Sequence, residues 1–137
     1  MKRFHFICLL LTLLVFAIFM HGCDLLPVSI DGRIESFEND INNDRANAYL
    51  NFDIDSTDWY VGIQNPDFWD APFDETKKPF TITVVDSTNE LSVQCTITGT
   101  GGYTFGPQII FTMVQVGAVW YIEEIPSMEN YTGKVVD

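Results

Sequence analysis

The chain has 137 residues, 19 of them acidic against 7 basic, and a formal net charge of −12 at pH 7. So acidic a surface repels phosphate backbones and anionic lipid headgroups, which excludes nucleic-acid binding and membrane attachment through a basic patch. The length suffices for one domain with its own core, and 47% of the residues are hydrophobic.

Lys2 and Arg3 open the chain, and Phe6–Met20 is an almost unbroken apolar run. As a helix this run is about 22 Å long at 1.5 Å per residue. That is short of the ~30 Å hydrocarbon core of a bilayer. A positive start, a short apolar stretch and a small residue before a cut form the pattern of an export leader. The run closes on Met20-His21-Gly22-Cys23. This tetrad resembles the lipobox of bacterial lipoproteins, which is usually Leu, a small residue, Gly or Ala, then Cys. Gly22 and Cys23 match it, Met20 stands in for Leu, and His21 departs from the small residue expected there. The resemblance covers residues 1–23. It implies cleavage before Cys23, acylation of that sulfur by palmitate-type chains, and a protein anchored to a membrane of the bacterial cell envelope, outside the cytoplasm. Two or three acyl chains anchor firmly, whereas one binds only marginally. The alternatives are an uncleaved signal anchor and a plain leader that leaves Cys23 free.

Three cysteines are present, Cys8, Cys23 and Cys95. Cys8 belongs to the leader and Cys23 to the anchor, so Cys95 reads as a small core residue without a disulfide partner. A Cys23–Cys95 disulfide becomes conceivable in an oxidising envelope if Cys23 is not acylated. Both histidines, His5 and His21, precede Cys23. The domain that follows therefore lacks the imidazole for Ser-His-Asp or Cys-His catalysis and for His-containing zinc sites.

Residues 23–29 form a lipidated Cys and a very short tether. Ile30, Ile34, Phe37 and Ile41 then recur at helical spacing, with Ser29 or Asp31 as cap and Asn42-Asn43 as the break. Asp44 reads as the N-cap of a second helix from Arg45 to about Phe52, with apolar positions Ala46, Tyr49, Leu50 and Phe52. Residues 53–79 interleave acidic residues with Trp59, Tyr60, Phe68, Trp69 and Phe73. Pro66 suits the first position of a helical turn through Phe68-Trp69, and Pro72 and Pro79 mark turns. An EF-hand loop starting at Asp53 fails, because Thr57, Asp58 and Gln64 stand where a ligand, Gly and Glu belong. No metal and no cofactor is expected.

From Phe80 the period changes to two. Phe80, Ile82 and Val84 alternate with Thr81, Thr83 and Val85, and Leu91, Val93, Cys95 and Ile97 alternate with polar residues after a turn at Asp86-Ser87-Thr88-Asn89. A longer loop runs from Gly99 to Pro107. Ile109–Val116 is apolar on both alternations, which reads as a central strand covered on both faces. Gly117-Ala118 suits a two-residue hairpin with Gly first, and Val119–Ile125 is the last strand, stopped by Pro126. Residues 127–137 read as a polar tail.

The expected fold class is α+β: N-terminal helices packed on a curved four-stranded antiparallel sheet, spanning residues 30–126. The helix pair at 30–52 and the closing hairpin, with Gly117, Trp120 and Ile122 in the pattern Gly-x-x-Trp-x-Ile, resemble the nuclear transport factor 2-like, or cystatin-like, superfamily. That resemblance implies a cone-shaped sheet with ligands entering its open end. Enzymes of this kind that resemble ketosteroid isomerase use an Asp base with Tyr and protonated Asp donors. No acidic residue falls at an inward position of Phe80–Ile97, so the expected function is non-enzymatic binding of a small apolar ligand or an envelope protein. Trp59, Tyr60, Phe68, Trp69, Phe73 and Trp120 are the ligand-binding candidates, because aromatics dominate binding hot spots; the competing role is core packing. An isomerase- or cyclase-like enzyme and a structural subunit forming a homodimer through its sheet are the alternative functions.

Overall fold

Ser29 is extended and caps the first helix of the described residues. Its Oγ accepts the Gly32 backbone N–H at 3.1 Å, which satisfies one of the orphan donors of the first turn. In the computed structural model, which describes residues 27–57 and 60–128, this helix, α1, spans Ile30–Asn43. Its buried face is Ile30, Ile34, Phe37 and Ile41, the spacing seen in the sequence. A helix of this length is marginal alone in water. Burial of each large apolar side chain contributes about 1.5–3 kcal/mol, so packing holds it in place.

The second helical segment differs from expectation. Arg45–Asn51 is a 3₁₀ helix, and the Asp44 carboxylate makes no bond to the backbone of its first turn; it accepts from Asn47 Nδ2 at 2.8 Å instead. A 3₁₀ helix repeats every three residues. Its inward residues are accordingly Arg45, Ala48 and Asn51, while Ala46 and Leu50 face solvent. The reason is the charge on Arg45. Its guanidinium is buried and reaches the Asp70 carboxylate, the Phe73 carbonyl, Ile41 O at 3.2 Å and Glu75 at 3.2 Å. A buried cation is tolerated only when so paired, and the pairing sets the rotation of the segment.

The connector to the sheet is ordered by its aromatic residues. It carries a short helix α2 (Tyr60–Ile63), a 3₁₀ turn Pro66–Asp70 capped by the Asn65 side chain, and a 3₁₀ turn Glu75–Lys77. Phe68, Trp69 and Phe73 point inward and are fully buried. Phe37 sits among them, with ring centroids 5.4 Å from Trp69, 5.6 Å from Phe52, 6.0 Å from Phe111 and 6.1 Å from Phe73, all edge to face.

Four antiparallel strands follow as a meander in the order β1 (Thr81–Asp86), β2 (Ser92–Thr98), β3 (Ile109–Val116) and β4 (Val119–Glu124). Ile82, Val93, Cys95, Ile97, Ile109, Phe111, Met113 and Ile122 form the inner face. Among the described residues the architecture is thus α+β with one long helix, and the other helical segments are short. At the β3–β4 turn, Gly117 has φ 64° and Ala118 does not share a positive φ, as a hairpin with Gly in first position requires.

Both edges of the sheet are occupied by side chains or short bridges. Val28 and Phe52 pair in parallel with Val119 and Ile122 on the β4 edge. On the β1 edge, α1 substitutes for a strand. Asn42 accepts the Phe80 N–H at 2.7 Å and donates to the Phe80 carbonyl at 2.8 Å, and Glu38 accepts the Ile82 N–H at 2.6 Å. Such caps remove the unpaired donors through which sheet edges recruit other chains.

Three expectations are corrected. β3 lies inside the sheet but is covered on one face only, with Ile110 46% and Val116 50% exposed. Its two-sided apolar pattern reflects an open outer face rather than a second layer. Leu91 precedes β2 and is exposed instead of facing the core. The domain also continues past Pro126, because Met128 is fully buried and its N–H bonds the Ile125 carbonyl at 2.8 Å. Among the described residues no helix is long and apolar enough to cross a membrane. The leader, Cys23 and most of the polar tail lie outside the described residues, and so does Trp59.

Candidate functional site

An antiparallel meander puts its odd turns at one end and its even turn at the other. The β1–β2 and β3–β4 turns therefore share one end of the sheet, and the β2–β3 loop lies at the opposite end. The loop end is closed. Phe73 packs on Phe80 at 5.1 Å and stacks on Phe105 at 6.1 Å, Phe80 meets Tyr103 at 5.9 Å, and the Tyr103 hydroxyl donates to the Pro72 carbonyl at 3.3 Å. Gly99 lets the loop close this tightly, since a Cβ there would stand 2.5 Å from the Lys77 carbonyl oxygen.

The turn end is open. There a cleft of about 240 Å³ lies between the start of α1, the β1–β2 turn and β4, lined by Ser29, Ile30, Asp31, Ser87, Glu90 and Trp120. Local sequence explains each position. Ser29 is the cap of α1 and Asp31 follows in its first turn, where a carboxylate complements the helix dipole. Ser87 and Glu90 belong to the polar turn after β1, in which Asp86 Oδ1 accepts the Thr88 N–H at 2.8 Å. Trp120 follows the Gly117-Ala118 turn, and its N–H bonds the Val28 carbonyl at 3.0 Å, which ties the entering chain to β4. The cleft thus offers one half-buried aromatic ring and two exposed carboxylates from different elements. Arg33 lies nearby but is committed elsewhere: its Nε donates to the Trp120 carbonyl at 2.7 Å and its Nη1 to Asn51 Oδ1 at 3.2 Å.

The six aromatic candidates separate into distinct places. Phe68, Trp69 and Phe73 come together in the core; the Trp69 indole N–H donates to the Ile63 carbonyl at 3.1 Å. Tyr60 is half-buried on another surface, against Tyr49 at 5.8 Å. Trp120 alone among the described candidates lines the cleft. Ser29, Asp31, Ser87 and Glu90 are not among the binding candidates of the sequence. Ser29 and Asp31 read as helix caps and Ser87 as turn, and nothing in their order along the chain shows that a helix start and a hairpin turn meet.

Titration behaviour follows burial. Cys95 lies in the core, and loss of water pushes its thiol up to about 12, with the Asp31 charge adding to the effect. That makes it a poor nucleophile or ligand. Burial also raises the Tyr60 phenol, assisted by Tyr49, Asp53 and Tyr121, and lowers Arg33 against the opposing pull of Tyr121 and Asp40. Among the described residues no three His, Cys, Asp or Glu side chains gather as a metal site would require.

Comparisons with family models, with curated proteins and with solved structures found no match to this chain.

Proposed function

We propose that this is a lipid-anchored protein of a bacterial envelope, whose residues 30–128 form a nuclear transport factor 2-like, cystatin-like domain that binds a ligand without transforming it. Support for the anchor is the lipobox-like Met20-His21-Gly22-Cys23 after a short apolar leader. The cone-like reading of the sheet rests on the four-stranded meander with α1 across its inner face.

The observation that carries the binding reading is the contrast between the two ends of the sheet. One is plugged by Phe73, Phe80, Tyr103 and Phe105, and the other holds the cleft around Trp120. The interior between them is filled by apolar side chains, so a ligand docks at the mouth rather than deep inside. The lining shifts the expected ligand from apolar to compact and positively charged. Asp31 and Glu90 supply opposite charge, and Trp120, which lines the same cleft, brings an aromatic side chain of the kind that attracts cations. Exposed ion pairs contribute about 0.2–1 kcal/mol each, and a cation over an aromatic ring about 0.5–1 kcal/mol at an exposed site. Affinity is therefore modest and salt-dependent.

Calorimetric titration of the full chain with cadaverine, and with glutarate as a diacid of the same length, tests this. Cadaverine is expected to bind and glutarate not to bind. The double variant Asp31→Asn/Glu90→Gln should weaken cadaverine roughly tenfold, about 1.4 kcal/mol. Equal binding of both probes, or unchanged cadaverine binding in the variant, refutes the assignment.

A further inference from the structure

We propose that the surface around Tyr49, Tyr60 and Tyr121 is a docking site for a cationic amphipathic segment of another protein. This surface is separate from the cleft and does not depend on it. Tyr49 and Tyr60 meet edge to face at 5.8 Å. The Tyr60 phenol is raised by burial and by the charges of Tyr49, Asp53 and Tyr121. Arg33 caps the Tyr121 ring at 4.6 Å, and its Nη1 reaches the Leu50 carbonyl at 3.5 Å. Next along the chain to Tyr49, Asp53 and Tyr60 come three exposed large apolar side chains: Leu50 at 50%, Ile54 at 64% and Val61 at 83%.

Tyrosine and arginine amid exposed aliphatic residues are the composition of an interface core, not of an ordinary acidic surface. The 3₁₀ geometry of Arg45–Asn51 explains how Leu50 comes to be outside. Arg45, Ala48 and Asn51 take the inward positions, and Leu50 is left over. Charge complementarity selects the partner. Asp53 and Asp55 adjoin the patch in sequence, and the chain carries a net charge of −12. Arg33, the cation at the patch, already donates to the Trp120 carbonyl and to Asn51 Oδ1. A second copy of this chain would bring another −12 to the surface, whereas a Lys-rich amphipathic segment brings apolar side chains for Leu50, Ile54 and Val61 together with positive charge.

The test uses the full chain in nanodiscs of phosphatidylcholine and three synthetic 18-residue peptides: Lys/Leu amphipathic, Lys/Ser of equal charge, and Glu/Leu amphipathic. Hydroxyl-radical footprinting should show Leu50, Ile54 and Val61 protected by the Lys/Leu peptide alone. The triple variant Leu50→Ser/Ile54→Ser/Val61→Ser should weaken that peptide at least tenfold while its melting temperature stays near that of the parent. Equal binding of Lys/Leu and Lys/Ser peptides overturns the proposal, because charge alone then suffices. Protection of the three residues without peptide also overturns it: if it grows with protein concentration the patch joins copies of this chain, and if it is independent of concentration the patch rests on the bilayer.

Discussion

Replacing Trp69 by Ala separates a core residue from a pocket residue. Trp69 is fully buried, its rings pack 4.9 Å from Phe68 and 5.4 Å from Phe37, and its indole N–H bonds the Ile63 carbonyl at 3.1 Å. Truncating a buried Trp costs about 3–5 kcal/mol in transfer and cavity terms. The stranded carbonyl of Ile63 adds about 1 kcal/mol if water does not reach it. A domain of this size is held by about 5–15 kcal/mol in total, so the variant should lose about a quarter or more of its stability. Urea unfolding followed by circular dichroism measures this as a lower midpoint with an unchanged slope. Trp69→Phe, which keeps the ring contacts and loses the N–H, should lose clearly less than Trp69→Ala. A loss below about 1.5 kcal/mol for Trp69→Ala would mean that the ring is not enclosed in the folded state, and the core assignment of the connector aromatics would fall.

Two further outcomes are expected. Cys95 should not react with a disulfide probe such as dithionitrobenzoate at pH 8 until the protein unfolds, since its thiol titrates near 12 when folded. Because that pKa is raised, the unfolded state releases the thiol proton first, and stability falls as pH rises from the unfolded thiol pKa toward 12, by up to about 1.4 kcal/mol per pH unit. The difference between the parent and Cys95→Ala unfolding free energies should therefore shrink with pH over this window, and a pH-independent difference contradicts the burial. Cys23→Ser should abolish labelling by radioactive palmitate in a bacterial host and leave the precursor uncleaved; a variant still processed and labelled would dismiss the lipobox reading.

Some of this molecule is legible in one dimension because its cause is local. The spacing of Ile30, Ile34, Phe37 and Ile41, the Ser29 cap, the Pro66 turn and the Gly117 hairpin each depend on neighbours within a few residues. The alternation of Val93, Cys95 and Ile97 likewise reports which side of β2 meets the core. The errors occur where a distant partner overrides the local pattern. Arg45 rotates its helix to reach Asp70 and Phe73, and Ile110 and Val116 look buried by type although no layer of the described structure covers them. Aromatic residues between 60 and 73 have the same composition whether they fill a core or line a mouth, and only their burial distinguishes the two.

Sequence by itself determined the leader-like start, the acidic character, the α+β order and the four strands, because periodicity, capping and net charge are properties of short segments or of sums. Tertiary structure alone decided that the loop end of the sheet is plugged, that Asp31 and Glu90 share a cleft with Trp120, and that Arg33 lies over the Tyr121 ring. Those are meetings of residues far apart in the chain. They follow from how helix and sheet pack, which no window along the sequence contains.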